Sequence, residues 1–399
     1  MASIQASILL LLGEGLVAWP RRMAPESWTD FLAYYTASKM VLTGFGSHVY
    51  DRGMQIATIG MVTGIDPARI NMPLNYLNPP QATILLTPLA LIPYSPASVL
   101  WSVLMASTMM VAVGLLVRTS GWRGISAWAT GLLVVAATPA LFEVLRGQMD
   151  ALVLLGFVAC VVAVTHNRPM TAGFALSVVL LKPNVAFLVF PVLAMHRQWR
   201  VLAGAGLSAL IQVVITSAIF GPQVWTSWVG LLIGPALGHE NWGYIQATAY
   251  SVNSVLHGLG VPKSFDPWLI AGGSLITLGL VTMRLGGSRA LSAALALSVV
   301  LSPHAGVQDL ILLAPLAILY ARDVSETRGL TLAVGAFLLT GLFLAAEFSP
   351  VWGWPIPIAV AVTVGHWMAG QDRRWAEVAP SQGAYAGRSA ATLIGGVSR

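Results

Sequence analysis

MTAGFALSVVLLKPNVAFLVFPVLAMH, residues 170–196, is apolar on both flanks and broken in the middle by Lys182-Pro183. Arg168 precedes it and Arg197 and Arg200 follow it. Short loops rich in Lys and Arg stay on the cytoplasmic side of a membrane, so both ends of the stretch belong on one face. The segment must rise and return. Each limb of about a dozen residues gives ~18 Å of helix at 1.5 Å per residue, too short for a ~30 Å hydrocarbon core. Lys182-Pro183 is therefore expected at the tip of a short helical pair, sunk below the outer surface. Broken helices at membrane depth are tolerated where they line protein or a water-filled cavity.

The rest of the chain is consistent with that frame. Of its 399 residues 56% are hydrophobic and 9% charged, with a mean hydropathy of +0.77. So little charge cannot cover a soluble domain. The apolar runs are continuous rather than alternating, which favours spanning helices over a barrel. The net charge of +6 is read as topology information and not as a nucleic-acid footprint. The one cysteine, Cys160, lies inside an apolar run and implies no disulfide framework.

Further apolar stretches lie at 3–19, 97–117, 124–142, 149–165, 199–220, 268–284, 329–346 and 351–369. Glu14 sits inside the first, a costly depth for an acid. No cleavable signal peptide is expected there, because no Lys or Arg precedes the apolar run and no small-x-small site is clear. A second interrupted stretch, 290–320, breaks at Ser302-Pro303-His304 between Arg289 and Arg322, which predicts a second sunken tip. Arg118, Arg123, Arg284, Arg328, Arg373 and Arg374 fall in the remaining turns of the same face. The expectation is an all-α polytopic membrane protein of about twelve transmembrane helices, residues 1–369, with both termini inside. Residues 20–96 and 221–267 would form outer loops, and 370–399 a disordered cytoplasmic tail. ILLTPLALI, residues 84–92, is too short to cross and is expected to be interfacial or re-entrant.

Candidate chemistry gathers on the outer side and at the two tips: Asp30, Tyr34, Tyr35, Asn75, Asn78, Arg146, Gln148, Asp150, Lys182, His239, Glu240, Asn253 and His304. Asp30 opens a helical pattern and is either a helix cap, a task Thr29 could share, or a base. Lys182 at a buried tip needs a partner, Asp150 being one candidate, or an anionic ligand. His304 is either a hydrogen-bonded core histidine or a functional one. Arg146-Gly147-Gln148 is either an interfacial anchor or a phosphate or sugar contact. No Gly-rich nucleotide loop, HExxH or Cys/His metal spacing is present. An acid and several cationic donors beside lipid suit a lipid-linked phosphate. An enzyme or a transporter handling an anionic lipid or solute from outside would fit.

An ordered set of short motifs runs through residues 28–320. It comprises Trp28-Thr29-Asp30-Phe31, the Gly44-Phe45-Gly46 turn, Val49-Tyr50-Asp51, Asn78-Pro79-Pro80 and Pro88-Leu89. Gly147-Gln148, Lys182-Pro183, Ser251-Val252-Asn253-Ser254, and Ser302-Pro303-His304 with Asp309 follow. The set resembles the GT-C glycosyltransferases of family 87, which use polyprenyl-phosphate sugars and include bacterial α-mannosyltransferases that extend phosphatidylinositol mannosides and lipomannan. The family often has Tyr-Pro-Pro where this chain has Asn78-Pro-Pro, and Asn-Gln-Ser where it has Asn253-Ser254 after Val252. The resemblance implies an inverting transferase in a bacterial plasma membrane with its site on the extracytoplasmic face. Asp30 would be the general base and Lys182, His304 and Arg146 would hold the donor phosphate. Tyr34, Tyr35, Asn78, Gln148, His239, Glu240 and Asn253 would meet sugar or acceptor. The implied partners are a polyprenyl-phosphate sugar, mannose or a relative such as arabinofuranose, a lipid-linked or polysaccharide glycan, and membrane lipids. No metal and no cofactor is expected. The alternative is a transporter or flippase.

Overall fold

The structure is a computed structural model that describes residues 29–70, 76–123, 131, 134–135, 137–233, 250–302, 305–324 and 355–369. The first apolar stretch with Glu14, most of 124–142, the stretch 329–346, residues 370–399, Asn75, His239, Glu240 and His304 lie outside them. Regular structure among the described residues is α-helix and 3-10 turn, without strand. Three helices there are long and apolar enough to cross a membrane: Tyr94–Thr119, Trp199–Phe220 and Asp266–Arg284. Their outer faces stay greasy. On Asp266–Arg284, Met283 is 81% exposed and Leu275 72%, the surface of a helix solvated by lipid. The remaining apolar helices are shorter, so the full count of about twelve is not reached by length among the described residues.

The broken stretch forms as its sequence requires. Pro169 starts a helix, Pro169–Leu176, at the position where a missing N–H costs nothing. It tightens into a 3-10 turn, Ser177–Leu181, and stops at Lys182. Pro183 forbids continuation, and the residue before a proline is driven out of helical geometry. Lys182 accordingly has φ −143° and ψ 70°. A further turn, Pro183–Val185, leads into the return helix Val189–Met195.

Both feet of this hairpin carry the same C-terminal device. Helix Asp150–Thr165 ends with Asn167 at φ 56°, where Arg168 N–H donates to Ala163 O (2.9 Å) and Asn167 N–H to Val164 O (3.0 Å). Helix Val189–Met195 ends with Arg197 at φ 56°, and Gln198 and Arg197 repeat the pattern onto Leu193 and Ala194. Each closes a helix with a left-handed residue. Glycines then lock the hairpin to its neighbours. A Cβ on Gly173 would strike the backbone of Val201 and Ala205, one on Gly204 the carbonyl of Met170, and one on Gly156 Val178 Cβ at 2.7 Å. Small residues that let backbones touch drive helix association where lipid removes the hydrophobic incentive.

The two ends of the bundle differ in chemistry. Met170 against Gly204 places the turns at 166–168 and 197–200 together. Arg289 Nε bonds Asp323 Oδ2 at 2.9 Å, and Gly121 lies against Arg322, so the turns at 118–123, 284–289 and 321–323 also converge. Helices Tyr94–Thr119 and Asp150–Thr165 start side by side at the other end, where Trp101 Nε1 donates to Gly147 O (2.8 Å). There the hairpin tip, the helix Asp30–Leu42 and residues 250–254, 302 and 305–309 meet. Tyr250 N–H donates to Ala305 O at 2.7 Å, and Asn184 Nδ2 to Ser302 Oγ at 3.2 Å. The short stretch expected at 84–92 is helical from Pro80, continuing as a 3-10 turn to Leu91.

Candidate functional site

Asp30 is the first residue of helix Asp30–Leu42 but does not cap it. Thr29 holds the cap position and makes no side-chain cap bond, its Oγ1 lying 3.2 Å from Tyr94 OH. Asp51, by contrast, accepts from Met54 N–H (2.8 Å) and Asp66 from Ala68 N–H (3.0 Å). Asp30 is half-buried and has no hydrogen bond or ion pair among the described residues. The capping alternative therefore falls away. A carboxylate left unpaired while its neighbours cap is available for chemistry.

Gly147 sets how closely the start of the Asp30 helix packs. It ends helix Thr138–Arg146 in the left-handed region, φ 68°, with Gln148 N–H donating to Glu143 O at 3.0 Å. A Cβ there would lie 2.6 Å from Phe31 Cβ. Only glycine lets the start of the Asp30 helix approach so closely and also turns the chain. Arg146 thus closes one helix and Asp150 opens the next.

Next to this contact lies a buried polar knot. Tyr34 OH donates to Gln148 Oε1 (2.8 Å), and Lys182 Nζ donates to the same oxygen (3.2 Å). Lys182 Nζ also pairs with Asp150 Oδ2 (2.8 Å) and with Asp309 Oδ1. An ammonium has three donors, and these three partners use them. In this arrangement the Lys182 ammonium is turned to protein partners. Asp309 is further held by Gly306 N–H, and Glu143 accepts from Ala151 N–H at 2.9 Å. Asp150, Asp309 and Glu143 are all fully buried. The Tyr34 phenol is held well above its ordinary value, first by burial and then by Asp30, Asp150 and Glu143, so it remains a donor.

The other expected residues fall in distinct places. Arg146 lies 5.1 Å over the Phe142 ring and donates to Gln308 Oε1 (3.2 Å). Asn78 ties the first loop to the hairpin, its Nδ2 donating to Leu181 O (3.3 Å) while its carbonyl accepts from Tyr50 OH (2.6 Å). Tyr35 turns away, with its OH on Ile92 O (2.8 Å). Asn253 is 1% exposed, and both its amide atoms are without partners among the described residues. His304, His239 and Glu240 are not among the described residues. No group of three or more His, Cys, Asp or Glu there is arranged to hold a metal ion.

Two participants were missed from the sequence. Glu143 ends an apolar run, and the cost of burying an acid was the signal that could have flagged it. Asp309 figured as a motif residue but not as a partner of Lys182. A model of glycosyltransferase family 87 matches residues 76–305, more than half of the chain. No curated protein and no solved structure matches.

Proposed function

We propose that this chain, which belongs to glycosyltransferase family 87, moves a sugar, mannose, from a polyprenyl-phosphate carrier to a lipid-linked or polysaccharide glycan with inversion. The observation that supports this most is the Asp30 carboxylate, which has no partner among the described residues and acts electrostatically on Tyr34, a member of the Gln148–Lys182 knot. Asp30 takes the proton from an acceptor hydroxyl as that oxygen attacks the anomeric carbon. The bond from that carbon to the phosphate oxygen breaks, and the carrier phosphate leaves with the electron pair. Arg146 and His304 are assigned to the charge that develops there, where positive groups lower the barrier most. Lys182 is assigned support rather than contact. Tyr34 and Asn253 face the sugar, and His239 and Glu240 belong to the acceptor side. Asn78 and Tyr35, tied to backbone carbonyls, hold the walls. The greasy helices bring the carrier's tail alongside the site, and the site opens on the extracytoplasmic face of a bacterial plasma membrane, opposite the arginine-bearing turns.

The test is Asp30→Asn with polyprenyl-phosphate mannose and a panel of glycolipid acceptors, products read by mass spectrometry. A general base contributes about 10²–10⁴-fold. Turnover is expected to fall by about that factor, with donor affinity changed less than about threefold. A wild-type protein that leaves the donor intact with every acceptor, or an active Asp30→Asn protein, refutes the assignment. Donor carried across a bilayer unchanged would favour a transporter.

A further inference from the structure

Gln148 is pinned by one atom only. Its Oε1 accepts from both Tyr34 OH and Lys182 Nζ, which fixes which end of the amide is oxygen. Its Nε2 has no partner among the described residues. Gln148 as a whole is 8% exposed, and among the described residues only its Oε1 is bonded. The amide's two N–H donors are left over, beside Gly147 and the start of the Asp30 helix. Lys182 cannot swing to a ligand without abandoning two buried carboxylates. It can hold the Gln148 oxygen while those carboxylates hold it.

We propose that Gln148 presents its Nε2 donors to an oxygen of the sugar-phosphate donor, and that Lys182, fixed by Asp150 and Asp309, is the positioning residue that aims them. The proposal rests on the transferase reading above and deepens it. An oriented amide costs little reorganisation when the ligand arrives, which is how fixed dipoles bind and stabilise charge. The two N–H donors suit a phosphate oxygen or a sugar hydroxyl oxygen, and the experiment separates these.

Gln148→Glu is the decisive variant. One carboxylate oxygen can keep both bonds from Tyr34 and Lys182 while the outward donors are replaced by an acceptor and a negative charge is added. Gln148→Asn, neutral and one methylene shorter, withdraws the amide without adding charge. Tyr34→Phe removes one pin and leaves the donors. The measurements are donor KM, kcat and the unfolding midpoint of the full-length protein in micelles. A hydrogen bond to a substrate oxygen is worth about 10- to 100-fold. Both Gln148 variants are expected to raise donor KM by about that factor in the fraction that remains folded, as judged by the unfolding midpoint, and Tyr34→Phe by a few-fold. Inhibition by free polyprenyl phosphate weakens in parallel if the contact is to phosphate, and stays constant if it is to a hydroxyl. Wild-type KM in either folded Gln148 variant overturns the proposal. A wild-type protein that instead uses a nucleotide sugar removes the assumed carrier but leaves the Gln148 comparison readable with that donor.

Discussion

Replacing Lys182 by Met should damage the fold in a way that removing its partners repairs. The side chain of Lys182 is 10% exposed, and those of Asp150 and Asp309 are 0% exposed. Met fills nearly the same volume but leaves two buried carboxylates facing each other with no cation. Removing one partner from a buried ion pair costs about 3–5 kcal/mol, because the stranded charge has neither water nor a counter-ion. At about 1.4 kcal/mol per tenfold, that lowers the folding equilibrium by roughly 10²- to 4 × 10³-fold. Replacing the whole set by neutral groups is often close to energetically neutral. The triple variant, Lys182→Met with Asp150→Asn and Asp309→Asn, should therefore stand within about 1–2 kcal/mol of the wild type. Each double variant should fall between. The assay is a denaturant titration in mixed micelles followed by tryptophan fluorescence, with all variants purified in the same detergent. A Lys182→Met protein destabilised by less than about 1 kcal/mol would refute the reasoning. So would a triple variant no more stable than the single one, since relief by neutralisation is what a stranded-charge mechanism demands.

Gly147→Ala should lower both activity and stability. The left-handed backbone costs about 1–2 kcal/mol, and forcing a methyl against buried Phe31 adds about 1–3 kcal/mol and shifts Asp30 with it. Misplacement by about 1 Å can cost about 10²-fold in rate, so steady-state turnover should fall about 100-fold, read beside the unfolding midpoint. Asn253→Leu should separate the two. It removes two buried, unpaired amide atoms and should stabilise the protein by about 1–2 kcal/mol, read from the unfolding midpoint, while sugar transfer weakens about tenfold through KM.

The hairpin was legible from the sequence because three local signals agree: arginines at both feet, limbs too short to cross, and a Lys-Pro break. Asp30 was legible as a candidate but its role stayed open. Helix capping depends on where a carboxylate points, and spacing does not carry that. The knot was half legible. Asp150 and Lys182 are near enough in sequence to pair by inspection, whereas Asp309 joins them across a long span of chain with no local pattern to announce it. Tyr34 and Tyr35 show the limit most clearly. Adjacent tyrosines with the same composition signal point apart around the helix. One enters the knot through Gln148, and the other is used up on Ile92 O.

The Lys182 ammonium also imposes an order on biogenesis. Asp150 leaves the ribosome first, and an acid inserted alone would have to wait for its cation. Once residue 182 follows, the two neutralise each other one to one and can sit in the nascent bundle as a self-sufficient pair. The strand of chain bearing Asp309 emerges much later and docks onto a pair already made, adding a second negative charge at that moment. Of the three charges in this set, the one on Asp309 is therefore the last to be synthesised.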